Sequence, residues 1–228
     1  LIDKMFKEKN TYNPLKNYVK KDNESTLGCM YSFTWENDPK HLVFTLSRYK
    51  FISKIIEGKK NVLEVGCADG WPSRIVRQNV RKLTAIDFDP TFIKIAKRNN
   101  NKKFKINFHV HDITKNSFGN KKFDAIYSLD VLEHIPKKVE KSFIKNIIKS
   151  LNNSGTLIIG VPSLESQGNI KQRKAKGHIN CKTGKELKSF LNKFFKNVYL
   201  LSMNDELIHT GLTRMSNYLI CICNSVKK

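Results

Sequence analysis

An α/β fold with a parallel sheet covered by helices is what this sequence predicts, and three observations predict it. Short apolar runs of strand length alternate along the chain with stripes at helical spacing, a pattern that requires parallel strands joined by right-handed crossovers. Asn61 to Gly70, NVLEVGCADG, reads as a short buried strand running straight into a glycine-rich turn, with Val62, Leu63 and Val65 interrupted only by Glu64. A second apolar strand, Leu83 to Ile86, follows it and ends in Asp87.

The elements follow in order. Residues 1 to 37 are polar and rich in Lys and Asn, yet carry Tyr12, Leu15, Tyr18, Met30, Tyr31, Phe33 and Trp35. Such a segment cannot form a core alone, so it either frays or closes over the domain as a lid, which divides the chain into a lid or substrate segment over 1–37 and one domain over 38–228. Asp38-Pro39 starts a helix, with Asp as cap and Pro at the first helical position; Leu42, Leu46, Tyr49, Ile52 and Ile56 recur at helical spacing up to Gly58. Trp71-Pro72 opens a helix to about Val80, and Asp89-Pro90 repeats the cap signal before Phe92, Ile93 and Ala96. Phe104 to Val110 and Phe123 to Ser128 read as the third and fourth strands, and Pro136 leads a helix with Val139, Phe143, Ile147 and Leu151 on one face. Gly155 to Val161 is a fifth strand. Pro162 to Lys182 is too long for a simple connector and is a candidate substrate loop. Thr183 caps a last helix with Leu187, Phe190, Leu191 and Phe194; Asn197 to Ser202 and Asn217 to Cys223 read as two terminal strands.

Gly66 and Gly70 let the turn take positive φ and let a ligand approach the backbone where a Cβ would collide, beside the N–H groups of the next helix. A carboxylate at Asp87 can accept both hydroxyls of a ribose, so the pairing marks a nucleoside site. These residues resemble the class I S-adenosylmethionine (SAM) methyltransferases. That family's first motif is a strand followed by E-x-G-x-x-x-G, matched by Glu64, Gly66 and Gly70, and its second ends in an acidic residue, matched by Asp87. HDIT, His111 to Thr114, is similar to the segment whose Asp sits by the adenine amino group. FDAIYSLDVLEHI, Phe123 to Ile135, is similar to the fourth-strand motif beside the methyl donor. The motifs stand in order over Asn61 to Val161.

The resemblance implies a Rossmann-like, seven-stranded mixed sheet with helices on both faces, an antiparallel ending and an N-terminal lid, with residues 38–228 as the SAM-binding domain and SAM as cofactor. A dinucleotide-binding fold shares the strand, glycine turn and acid. Its G-x-G-x-x-G is absent, however, and Glu64 stands where a pyrophosphate would be repelled.

The 228 residues suffice for one α/β domain, and no run approaches the roughly eighteen apolar residues of a membrane span. A cytoplasmic protein is expected, its N-terminus lacking an apolar signal core. Five cysteines, Cys29, Cys67, Cys181, Cys221 and Cys223, contain no CxxC pair and imply neither a disulfide framework nor a zinc ribbon. The net charge of +22 is mostly Lys spread through the chain, and the local clusters Lys20-Lys21, Lys102-Lys103 and Lys171 to Lys176 are short. Attraction for an acidic small substrate is the expectation, in preference to a specific nucleic-acid surface.

Methyl transfer to oxygen or nitrogen needs placement above all, plus a base where the acceptor must lose a proton. By the resemblance, Glu64 organises the glycine turn and the methionine ammonium region, Asp87 the ribose and Asp112 with Ile113 the adenine. Gly66, Cys67, Gly70, Trp71, Phe88, Ser128 and Leu129 line the rest of the donor cleft. The resemblance also places Arg48 at the donor carboxylate and Tyr31 at the acceptor. Asp130, just after the fourth strand, reads either as a helix cap or as an active-site group. His178 in the long loop is the expected base; His209, between the last two strands, and His134, in the LEHI stretch, are lesser candidates. Asp130 has no adjacent Asp/Asn pair, so no metal is expected.

The function expected is methyl transfer from SAM to an oxygen, less readily a nitrogen, of a small anionic acceptor such as a sugar or specialised metabolite. The nearest resemblance is to the small-molecule branch typified by the ubiquinone-biosynthesis O-methyltransferases. An RNA or DNA methyltransferase is the first alternative, although SLDVLE lacks the N/D-P-P-Y/F tetrad of base amino-group methylation. A SAM-binding protein without catalysis is the second.

Overall fold

A computed structural model describes residues 27–100, 102–119, 122–175 and 177–227. Tyr12, Leu15, Tyr18 and Lys20-Lys21 of the expected lid lie outside the described residues. The elements run α1 (Cys29–Asn37), α2 (Pro39–Ile55), β1 (Asn61–Val65), α3 (Ser73–Arg77), β2 (Lys82–Asp87), α4 (Pro90–Arg98), β3 (Asn107–Val110), β4 (Phe123–Leu129), α5 (Glu140–Ser150), β5 (Leu151–Pro162), α6 (Ile170–Ala175), α7 (Gly184–Leu191), β6 (Phe195–Asn204), β7 (Leu207–His209) and β8 (Tyr218–Val226).

They build an eight-stranded sheet in the order β3-β2-β1-β4-β5-β8-β6-β7, one strand more than the expected seven. β1 to β5 are parallel, while β8 joins antiparallel to β5 and β6 antiparallel to β8. The extra strand β7 folds back on the end of β6, with Ser202 opposite His209.

Alternation along each strand feeds two cores. Leu63, Val65 and Ile126 pack with Phe143, Ile144 and Ile147 of α5 and Leu187 and Leu191 of α7. Val62, Ala125 and Tyr127 pack on the other face with Tyr49 and Ile52 of α2, Val76 of α3 and Ile93 of α4. Ile52, Val62, Phe143 and Leu187 are fully buried, each worth roughly 1.5–3 kcal/mol relative to exposure.

Local chemistry explains the helix ends. Asp38 and Asp89 accept the His41 and Thr91 amides at the starts of α2 and α4, each with Pro at the first position. Thr183 and Glu186 form a reciprocal capping box at α7. The expected helix from Trp71 shortens to Ser73–Arg77, and the third strand starts at Asn107 instead of Phe104. The loop after β5 is not featureless: it holds a 3₁₀ turn, Leu164–Ser166, and α6. Among the described residues no helix is long and apolar enough to cross a membrane.

Candidate active site

The carboxyl ends of β1, β2 and β4 converge on the glycine turn, the place where an open α/β sheet binds ligands. Glu64 of β1 is buried; Tyr49 Oη donates to its Oε1 at 3.0 Å, and Oε2 has no hydrogen-bond partner. Burial pushes this carboxyl up to about 7, against the pull of the Ser73, Tyr127 and Tyr49 hydroxyls that face it. Ser73 and Tyr127 do so without closing a hydrogen bond. Gly66 has φ 81°, and a Cβ there would lie 2.2 Å from Val131 Cγ2, so the turn admits only glycine.

Asp87 ties the turn to β2. Its Oδ2 accepts the Ala68 amide at 2.9 Å and its Oδ1 the Asp89 amide at 3.0 Å, leaving further lone pairs on a carboxylate that lines the cleft. That cleft, narrow at about 40 Å³, is walled by Gly66, Phe88, Asp112, Ile113, Val131 and Ile135. Phe88 is 72 % exposed, an aromatic face laid open at the cleft. Asp112 Oδ1 accepts the amide and hydroxyl of Thr114 at 3.0 and 2.6 Å, and with Lys115 these hold the acid low despite partial burial. The residues fit a nucleoside donor: an acid at the ribose position, an exposed ring, and an orphaned carboxylate oxygen at Glu64 suited to a cationic ammonium.

The other residues expected in the donor cleft have these surroundings. Cys67 is buried, Ser128 Oγ donates to the Val65 carbonyl at 3.0 Å, and Leu129 packs so closely that a Cβ at Gly160 would lie 2.6 Å from it. Gly70 is backed by Phe108, which a Cβ would meet at 2.4 Å. Trp71 faces Tyr31, ring centroids 5.6 Å apart. Tyr31 is the one aromatic of α1 turned inward; Phe33 and Trp35, expected beside it, are 67 % and 56 % exposed. Its hydroxyl is pushed far above its ordinary range by burial and by the charges of Asp69, Asp130 and Glu64.

Sequence reasoning missed Asp69. Its Oδ2 accepts the Met30 amide at 2.9 Å and its Oδ1 the Trp71 amide at 3.3 Å, fastening the start of α1 to the turn. The one available signal was an acid inside the glycine motif itself.

On the other side of β4 the chain bends at Asp130, φ 55°, whose amide donates to the Gly160 carbonyl. Asp130 is therefore not a helix cap; its carboxylate meets Arg48 Nη1 at 3.0 and 3.2 Å. Arg48 lies 3.8 Å over the Tyr218 ring; burial opposes its charge, but Asp130, Tyr218 and Glu133 together raise its pKa.

The next turn, Leu132–His134, carries Glu133, which is 1 % exposed with neither carboxylate oxygen hydrogen-bonded. Burial and the charge of Asp130 push its carboxyl well up. Its carbonyl accepts the amides of Ile179 and Asn180, both at 2.9 Å, which draws the long loop over it and brings in His178. His134 Nδ1 is 3.0 Å from the Gly177 carbonyl and His178 Nδ1 is 2.8 Å from Gln167 Oε1, with the rings 5.0 Å apart. With Nδ1 donating to those oxygens, each neutral ring carries its lone pair on Nε2. Glu133, His134 and His178 offer ligand atoms all within 4.8 Å of one another. No metal was expected from the surroundings of Asp130; this set is built from different residues, two of them only three and four beyond it. His209 takes no part, its Nε2 lying 3.1 Å from Asn204 Oδ1 on the edge hairpin.

Residues 62–155 match the family profile described as a methyltransferase domain. The chain is 31% identical over 121 residues to the ubiquinone biosynthesis O-methyltransferase of Coxiella burnetii, covering 52% of this chain and 50% of that protein. It is 30% identical over 113 residues to the tRNA U34 carboxymethyltransferase of Nautilia profundicola, covering 49% and 37%. The chain thus spans about half the length, or less, of these curated relatives. Among solved structures it resembles the N-methyltransferase NodS from Bradyrhizobium japonicum in complex with S-adenosyl-L-homocysteine (SAH), with TM-score 0.62, 20% identity, and coverage of 84% of this chain and 90% of that one.

Proposed function

We propose that this chain, which carries a class I SAM-dependent methyltransferase domain over residues 62–155, transfers a methyl group from SAM to an oxygen of a small acceptor, with nitrogen the lesser alternative. The observation that carries the reading is the adjacency of two features: Gly66, Asp87 and Asp112 of the donor motifs share one cleft, and its wall residues Val131 and Ile135 flank in the chain Glu133 and His134, which form a cluster with His178. SAM supplies an electrophilic methyl on a positively charged sulfur.

Asp87 holds the ribose, Glu64 the ammonium and Arg48 the methionine carboxylate. Tyr31 and the loop from Pro162 to Lys182 border the acceptor, and α1 acts as a lid latched by Asp69. His178, oriented through Gln167, accepts the hydroxyl proton on Nε2, a contribution typically worth about 10²–10⁴-fold in rate. The charge of +22 favours an anionic acceptor.

The buried oxygens of Glu133, which make no hydrogen bond and have His134 Nε2 at 3.9 Å from Oε1, favour a second reading of the same cluster. Two imidazoles whose Nδ1 atoms rest on oxygens, beside a buried carboxylate, form a ligand set for a divalent cation that would acidify the acceptor hydroxyl.

His178→Ala and Glu133→Gln separate the two. If His178 is a base, His178→Ala loses turnover, EDTA leaves the unsubstituted protein active, and Mn²⁺ does not bind at the cluster. If a cation is held, EDTA abolishes turnover and both substitutions weaken Mn²⁺ binding followed by electron paramagnetic resonance. SAH affinity stays intact in both cases. SAH binding without turnover across a broad acceptor panel would instead mark a non-catalytic SAM-binding protein.

A further inference from the structure

The connection from β3 to β4 contains no helix among its described residues, 111–119 and 122, unlike the other parallel crossovers. Helices α5 and α7 cover the far part of that sheet face, and the amino ends of β1 to β4 are left open there. The opening is a cleft of about 340 Å³, at the end of the strands opposite the donor site. Register puts Lys82, Thr84, Asn107 and His109 on this same face, Thr84 beside Asn107 and Ile86 beside His109.

The lining has two kinds of chemistry. Phe118 stands as an aromatic wall, 5.5 Å from the His109 ring and 6.2 Å from Phe123, its backbone fixed by an amide bond to Ser150 Oγ at 2.9 Å. Lys82 and Lys122 supply positive charge at the rim, Lys122 being steadied by the Lys149 carbonyl, and among the described residues no acid lines the cleft. Thr84 and Asn107 add polar groups on the floor.

We propose that this cleft binds a small aromatic anion, the ring packing on Phe118 and His109 and the anionic group meeting Lys82 and Lys122. An aromatic wall rewards a planar apolar ring with buried area, and paired lysines without a competing carboxylate select negative charge. The site is separate from the methyl donor's, although the His111 ring at the edge of the donor cleft lies 5.1 Å from that of Phe118.

The probe is 8-anilinonaphthalene-1-sulfonate, titrated by fluorescence into the whole chain with and without saturating SAH. The expected result is saturable binding of one probe per chain, unchanged by SAH, displaced by naphthalene-2-sulfonate but not by inorganic sulfate. Affinity should drop at least tenfold in Lys82→Glu, an exposed position that leaves folding untouched, and be abolished in Thr84→Trp, which fills the floor. SAH affinity should be unchanged in both variants. Displacement by SAH, displacement by sulfate alone, no saturable binding, or undiminished affinity in Lys82→Glu would each overturn the proposal.

Discussion

Arg48 and Asp130, 82 residues apart, are joined by two contacts from one guanidinium nitrogen, at 3.0 and 3.2 Å, and this ties α2 to the end of β4 across the candidate site. The burial is lopsided: the Arg48 side chain is 9% exposed and the Asp130 side chain 39%. Removing the acid strands a buried cation, whereas removing the arginine leaves an acid that water can reach.

Asp130→Asn, which keeps the shape and the tolerance of positive φ, should therefore cost about 1–3 kcal/mol of stability, and Arg48→Met clearly less. Urea unfolding of the two variants measures the difference; equal losses would show that the pair is solvated as a unit.

Glu64, held up to about 7 by burial, should lose its proton when a cationic donor binds beside it. The sign follows from the raised folded value: stability from this group is present below its ordinary 4.5 and is lost as pH rises through about 7, and a cationic ligand restores it. SAH affinity should accordingly strengthen from pH 6 to pH 8 with net proton release. Calorimetry in buffers of different ionisation enthalpy reads that release, and Glu64→Gln should abolish it.

Asp87 already accepts two backbone amides, so its replacement loosens the turn as well as the ribose contact. Asp87→Ala should weaken SAH binding by about 1–3 kcal/mol. A calorimetric affinity equal to that of the unsubstituted protein would remove the residue from the donor site.

Glu133 is a buried carboxyl without a hydrogen-bond partner, and its folded value is raised, so the folded state loses stability as pH climbs above 4.5. Glu133→Gln should be more stable than the unsubstituted protein by about 1 kcal/mol at pH 8, with a smaller gain at pH 5. Thermal unfolding at both pH values tests it; a loss of stability at pH 8 would mean that the carboxylate is paired in solution.

The donor half of the site was legible because it is local. Glu64, Gly66 and Gly70 lie on one strand and its turn, and Asp87 ends the neighbouring strand, so spacing along the chain already encodes their relation in space. The helix caps at Asp38, Asp89 and Thr183 were readable for the same reason. β7 was not readable, because its three residues are an edge strand with Leu207 68 % exposed, and half-exposed edges carry little apolar pattern.

By itself, then, the sequence determined the alternation of strands and helices, hence a parallel sheet, and the glycine turn with its acid at the switch point. The tertiary structure alone decided that Asp69 holds α1, that Arg48 meets Asp130, and that a buried Glu133 without a hydrogen bond lies within reach of two oriented histidines. Those contacts join residues whose separation in sequence carries no periodic signal; they exist because parallel strand order gathers the carboxyl ends of distant strands at one edge, where loop and helix ends must satisfy one another's charges.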